Sequence, residues 1–167
     1  MADLSGLSPS GFRFGPTSLE NMIGVHPRLV RTVRVALSLS RQDFQVHDGV
    51  RSRAEQQVLV ARGASRTLLS RHLLQSDGWG HAADLVPWID GGLSWSWPAC
   101  LEVAAAMRAA AELSATRLRW GGVWDRPLDQ LGPSADDLRL AVRAYVQHRR
   151  RAGRPAFTDA PHFELIE

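Results

Sequence analysis

Pro161-His162-Phe163-Glu164-Leu165-Ile166, close to the end of the 167-residue chain, alternates apolar and polar side chains. Successive side chains of an extended strand point to opposite faces, so Phe163 and Leu165 can enter a core while His162 and Glu164 share the other side. The segment reads as a half-buried strand that aims an imidazole into a cleft. The same parity in Gly80-His81-Ala82-Ala83-Asp84 groups Asp84 with Ala82 and puts His81 opposite. Asp43 to Asp48 also alternates, with Phe44 and Val46 on one face, Gln45 and His47 on the other, and a turn at Gly49. Thr116 to Trp120 reads as one more short strand.

Helical signals lie between these strands. Thr17 with Glu20 reads as a capping box for a short helix from Ser18, stopped at Gly24. Pro27 suits the first turn of a helix in which Leu29, Val33, Ala36 and Leu37 recur at helical spacing. Ser52 and Glu55 cap a helix closed by Gly63. Pro98 falls in the first turn of an Ala-rich helix from Ser96 to Leu113. A last helix runs from about Ser134 to Arg151, with Leu138, Val142 and Tyr145 inward. Short strands interleave irregularly with helices and no Gly-rich phosphate loop is present. That predicts an α+β fold, a small antiparallel sheet packed with helices, rather than a doubly wound sheet. No repeat or linker divides the chain, so residues 1–167 read as a single domain with residues 1–12 loosely attached.

The composition, 44% hydrophobic and 22% charged with 14 Gly and 9 Pro, excludes disordered, collagen-like and coiled-coil classes. The one cysteine, Cys100, cannot form an internal disulfide and reads as core filler on the Ala-rich helix. A metal, if held, must sit on His, Asp or Glu. All 20 basic residues are Arg, against 17 acidic ones, for a net charge of +3. Arg143, Arg149, Arg150, Arg151 and Arg154 gather near the C-terminus as a basic face suited to anionic polymers. The N-terminus lacks a basic stretch followed by an apolar run, so no secretory signal is read and cytoplasmic accumulation is expected. Glu102, Arg108 and Glu112 interrupt the longest apolar stretch, which is a core helix and no transmembrane span.

The residues placed to carry chemistry are Arg51, Ser70, His72, Asp84, Asp159 and His162, at strand starts and turns. Two imidazoles and one carboxylate suffice to hold a catalytic zinc with its fourth position open to water. If residues 80–84 are extended, His81 and Asp84 cannot share an ion, and His72 is the better partner.

Ser70-Arg71-His72, Gly80-His81-Ala82-Ala83-Asp84-Leu85, Arg119-Trp120-Gly121-Gly122-Val123-Trp124 and Asp159-Ala160-Pro161-His162-Phe163-Glu164-Leu165 together resemble the zinc peptidases. That family includes L-alanyl-D-glutamate endopeptidases of phage endolysins and VanY-like D-alanyl-D-alanine carboxypeptidases, and its fold is shared with hedgehog signalling domains. Asp48 to Ser52, with Gln56, Gly63 and Ser65, resembles its upstream part, as does Leu19 to Pro27. The resemblance implies that His72, Asp84 and His162 ligate Zn2+, that Asp159 is the general base, and that Arg51 stabilises the oxyanion. Ser70 and Trp120 would line the substrate cleft, and Glu164 is the rival base.

The separation of His72 and Asp84 exceeds the family spacing by several residues. Leu73 to Trp79 is therefore expected to bulge as a loop over the cleft; were it to displace His72, His81 would be the rival ligand. Residues 125–157, with the Arg-rich helix, read as an inserted segment packed outside the sheet.

The resemblance thus implies an endolysin that accumulates in the host cytoplasm, reaches the wall through a holin-type pore and hydrolyses the peptidoglycan stem peptide. Its first target would be the L-alanyl-D-glutamate bond. The alternatives are a D-alanyl-D-alanine carboxypeptidase and a non-catalytic, zinc-bearing wall-binding module. The expected partners are the stem peptide and, for the Arg-rich helix, anionic envelope polymers; no specific nucleic acid is expected, and the chain is read as a monomer.

Overall fold

The computed structural model describes residues 10–166. Five helices surround one antiparallel sheet, so the α+β expectation holds. In chain order the elements are α1 (Pro16–Asn21), α2 (Pro27–Leu39), β1 (Phe44–Asp48), α3 (Arg53–Ala61), β2 (Ala82–Ile89), β3 (Gly92–Leu93), α4 (Trp97–Leu113), β4 (Leu118–Trp120), a 3-10 turn at Leu128–Gln130, α5 (Ala135–Arg151) and β5 (His162–Leu165). The main path of the sheet is β1-β2-β5-β4, and the two-residue β3 pairs with β2 at one end.

Strand parity decides which residues meet. Ala83 pairs with Phe163 and Asp84 with His162 across β2 and β5, and Trp120 pairs with Phe163 across β4 and β5. Paired residues point to the same face, so Phe163, Leu165, Trp120 and Leu118 build one apolar face. It meets Leu29, Val33 and Leu37 of α2 and Leu101 and Met107 of α4, all buried. α5 packs against α4 through Leu138, Ala141 and Tyr145. Cys100 is buried in the α4 core as expected.

Local signals place most helix ends. Ser52 and Glu55 make a full capping box on α3, and Gly63 follows its last turn with φ of 72°. Ser134 and Asp137 form another on α5. The box expected from Thr17 and Glu20 is absent. α1 starts at Pro16 behind Gly15 with no side-chain cap, because Pro at the first position already supplies helical φ without an N–H to satisfy. The expectation for residues 1–12 falls mostly outside the described residues; Ser10 Oγ donates to Leu37 O at 2.8 Å and Phe12 packs on the core.

β1 carries an irregularity with functional effect. Its register against β2 shifts between Val46 and Asp48, so that Asp48 stands opposite Asp84. Plain alternation would send Asp48 inward with Phe44 and Val46. The bulge turns its carboxylate to the face opposite the core.

Candidate active site

The sheet face opposite the core gathers three side chains distant in sequence. His72 follows the turn at Ser70, whose Oγ accepts from His72 N at 3.2 Å. Asp84 lies on β2 and His162 beside it on β5. Asp84 Oδ1 is 3.1 Å from His72 Nε2 and 3.1 Å from His162 Nδ1, and the two ring nitrogens are 3.2 Å apart.

The outer partners fix which nitrogen carries a proton. His72 Nδ1–H donates to Gly49 O at 2.6 Å, leaving a lone pair on Nε2. His162 Nε2–H donates to Glu164 Oε2 at 3.0 Å, leaving a lone pair on Nδ1. Two lone pairs and a carboxylate oxygen thus converge on one point and require a cation there. Ligands about 2.0–2.1 Å from a tetrahedral zinc lie about 3.3–3.4 Å from each other, close to these separations. Without a metal, a proton takes that place. Burial opposes a charge on His162, yet hydrogen bonds to Asp84 and Glu164 outweigh it and raise its pKa to about 10. Burial works to raise Asp84 as well, but His72 and His162 hold it well below the usual carboxylate range.

Arg51 closes one side. Its Nη2 donates to Asp84 Oδ2 at 3.0 Å, its Nε to Asp48 Oδ2 at 2.5 Å and its Nη1 to Gln56 Oε1 at 3.2 Å. The guanidinium orients the carboxylate of the ligand group and also lines the cleft. Asp159 sits across the cleft. Its backbone is held by Gly121, with Asp159 N donating to Gly121 O at 2.8 Å, and Asp159 O accepts from His162 N at 3.1 Å. A Cβ on Gly121 would lie 2.1 Å from Asp159 O, so the Trp-Gly-Gly sequence permits this close approach. No hydrogen bond or ion pair from the described residues engages the Asp159 carboxylate. Burial first, and then the Asp84 charge, push its pKa upward.

The cleft, about 490 Å³, is lined by Arg51, Ser70, His72, Asp84, Asp159 and His162, so these expected site residues come together. Trp120 does not join them. It is fully buried, stacked on Phe163 at 6.5 Å, with Nε1–H donating to Ala160 O. Its pairing with the core-facing Phe163 dictates this, and parity applied to β4 could have foreseen it. Trp124 takes the place expected of Trp120, with its ring 5.3 Å from His162. Phe157 stacks on Trp124 at 6.1 Å, so the segment 125–157 packs on α4 through α5 but reaches the cleft at its end. Glu164 is engaged by His162 and lies 3.6 Å from Arg119, and acts on the site through His162.

Residues 73–79 do not cover the cleft. They fold as a tight hairpin, with Gln75 N donating to Trp79 O at 2.9 Å and Leu74 bridged to Gly80. The hairpin leans toward the start of α2, where Trp79 meets the His26 ring edge-on. His81 accompanies it and pairs with Asp77 at 2.7 Å, away from Asp84. His26, Asp77 and His81 form a second, partly exposed cluster on that side.

Fold and site define a class: an α+β domain with a cation-seeking His/Asp/His group in an open cleft, beside a free carboxylate. The model of the family "Phage L-alanyl-D-glutamate peptidase" matches residues 10–166. The L-alanyl-D-glutamate peptidase of Escherichia phage T5 is 31% identical over 118 residues, covering 68% of this chain and 82% of that protein. The crystal structure of the Serratia marcescens L-Ala D-Glu endopeptidase ChiX superposes with a TM-score of 0.66 at 35% identity, over 93% of this chain and 90% of that one. The chain belongs to the phage L-alanyl-D-glutamate peptidase family. No helix among the described residues is long and apolar enough to cross a membrane.

Proposed function

We propose that the chain is a zinc-dependent endopeptidase that hydrolyses the L-alanyl-D-glutamate bond of the peptidoglycan stem peptide. The observation that carries this reading is the convergence of His72 Nε2, Asp84 Oδ1 and His162 Nδ1 in the cleft that also holds the unengaged Asp159 carboxylate.

His72, Asp84 and His162 would hold the ion, which supplies a Lewis acid for acidifying water and polarising the scissile carbonyl. Asp159 takes the proton from the attacking water and returns it to the leaving amine, so one carboxylate serves both halves of the reaction. Burial and the Asp84 charge raise its pKa, which makes it a stronger base than an ordinary carboxylate and better able to hold the proton it later returns. Arg51 keeps Asp84 turned toward the ligand group and offers permanent positive charge to the oxygen that gains charge in the transition state. Glu164 fixes His162 in the tautomer that presents Nδ1. Ser70 and Trp124 shape the cleft wall.

The described residues act as one domain, in a protein that accumulates in the host cytoplasm and meets the wall after release through a separate pore. Arg149, Arg150 and Arg151 in the last turn of α5 give it a basic end for anionic envelope polymers.

Digestion of purified peptidoglycan with the zinc-loaded protein, read by mass spectrometry, tests the assignment. New amino termini on D-glutamate are expected. Released D-alanine would instead indicate the carboxypeptidase, and an unchanged substrate the non-catalytic module.

A further inference from the structure

At its metal-side end the cleft is crowded with carboxylates, Asp84, Asp159 and Glu164; Arg51 pairs with Asp84, Arg119 and His162 pair with Glu164, and Arg71 lines the cleft close enough for its charge to lower the Glu164 pKa. The other end differs. Leu59, Ala64, Thr67, Leu69 and Phe157 line it together with Arg66, and none of these is acidic. The Arg66 guanidinium lies 4.8 Å over the Phe157 ring and has no carboxylate partner among the described residues.

This arginine is positioned rather than adrift. The neighbours on either side of it are tied to Gln56, a fully buried side chain of α3, whose Nε2 donates to Ser65 Oγ at 2.9 Å and Thr67 O at 2.6 Å. The same Gln56 accepts from Arg51, so the Arg66 loop and the ligand group share one anchor. A guanidinium held over an aromatic face by cation–π attraction makes no hydrogen bond with the ring plane, so its N–H groups stay available in the planar fork that matches a carboxylate. The rings beneath it form a continuous wall back to the site: Phe157 on Trp124 at 6.1 Å and Trp124 on His162 at 5.3 Å. Extended peptide advances about 3.3–3.6 Å per residue, so Arg66 stands within about five residues of His162 along this wall.

We propose that Arg66 is a specificity-determining residue that receives a carboxylate of the bound peptide two to four residues beyond the scissile bond, making the cleft selective for extended acidic peptides. The inference rests on the peptidase reading of the same cleft. A glutamyl residue joined to alanine through its amine continues the chain through one carboxyl and keeps the other free, and each further diacid or free C-terminus adds an anionic group on this side. Arg66 pairs with one of these, while the aromatic wall carries the apolar part of the chain.

The test uses N-acetylated L-alanyl-D-glutamyl tetrapeptides whose carboxylates beyond the glutamate are either free or amidated. For the free peptide, Arg66→Gln is expected to raise KM about tenfold and leave kcat unchanged, as for loss of a charge-assisted pair that binds ground and transition states alike. For the amidated peptide it should change neither constant. Phe157→Leu, which keeps the arginine but removes its platform, should raise KM for the free peptide by a smaller factor. Equal KM values of the wild-type protein for both peptides would overturn the proposal, as would an equal loss on both in Arg66→Gln. If the zinc-loaded wild type cuts neither peptide nor purified peptidoglycan, the peptidase reading itself falls; cleavage without discrimination removes only the role of Arg66.

Discussion

Replacing Glu164 by Gln changes one oxygen to an amide beside a buried imidazole, and its consequences for metal binding can be worked through. Glu164 Oε2 holds His162 Nε2 at 3.0 Å, and both side chains are buried. A glutamine oxygen can still accept that hydrogen bond, so the ring keeps its orientation and only the charge is lost. Loss of an outer-shell carboxylate behind a ligating histidine weakens metal affinity by about 10- to 100-fold, or about 1.4–2.7 kcal/mol. A second effect opposes the first. In the metal-free chain the pKa of His162 is raised to about 10, so at neutral pH zinc must displace a proton. In the wild type, apparent affinity should therefore climb with pH by about tenfold per unit from pH 7 to 8.5 through this group. Glu164→Gln lowers the His162 pKa, flattens that slope, and conceals part of the intrinsic loss at pH 7. The same pKa sets a stability window for the metal-free protein. A base whose folded pKa exceeds its unfolded one stabilises fully below the unfolded value, about 6.5, and loses the contribution as pH rises toward 10. Chelator-buffered zinc titrations between pH 6.5 and 8.5, with NMR titration of the metal-free imidazole, read both quantities. Identical slopes and an unmoved imidazole pKa in the variant would refute the coupling of Glu164 to the site.

Three further outcomes follow from the geometry. His72→Ala should abolish stoichiometric zinc in metal analysis while His81→Ala retains it, because His81 faces Asp77 and not Asp84. Asp159→Asn should keep its zinc yet lose about 10²- to 10⁴-fold in kcat, and the acid limb of the wild-type rate profile should lie above the ordinary carboxylate range and vanish in the variant. Gly121→Ala forces a Cβ against Asp159 O, so it should lower the melting temperature and depress kcat through displacement of Asp159.

Much of this was legible in the chain because strand parity is a short-range rule. Alternation around Phe163 and Leu165 assigned His162 and Glu164 to one face, and the cross-strand pairing of His162 with Asp84 realises it. The same rule set His81 against Asp84 and so favoured His72, although the spacing between the two is long. What parity could not supply was the partner of each strand. The family resemblance puts Trp120 in the cleft, although Trp120 shares the core-facing parity of Leu118 in β4; Trp124 and Phe157, which do line the cleft, are 33 residues apart, and their stacking is a tertiary fact. Thr17 and Glu20 carried a cap pattern that Pro16 made superfluous. The bulge in β1 left no mark beyond a parity that would have buried Asp48.

The hairpin at residues 74–80 separates two demands that would otherwise compete. Its base is cinched, with Gly80 N donating to Gly24 O and His26 N to Gly80 O, while its tip points away from the catalytic groove. Chain length can therefore vary at the tip at the modest entropic cost of a longer closed loop, without altering the span from His72 to Asp84. The tip at Gly78 is thus a graft point, where a reporter or an envelope-targeting peptide could be spliced into the chain while the groove stays free.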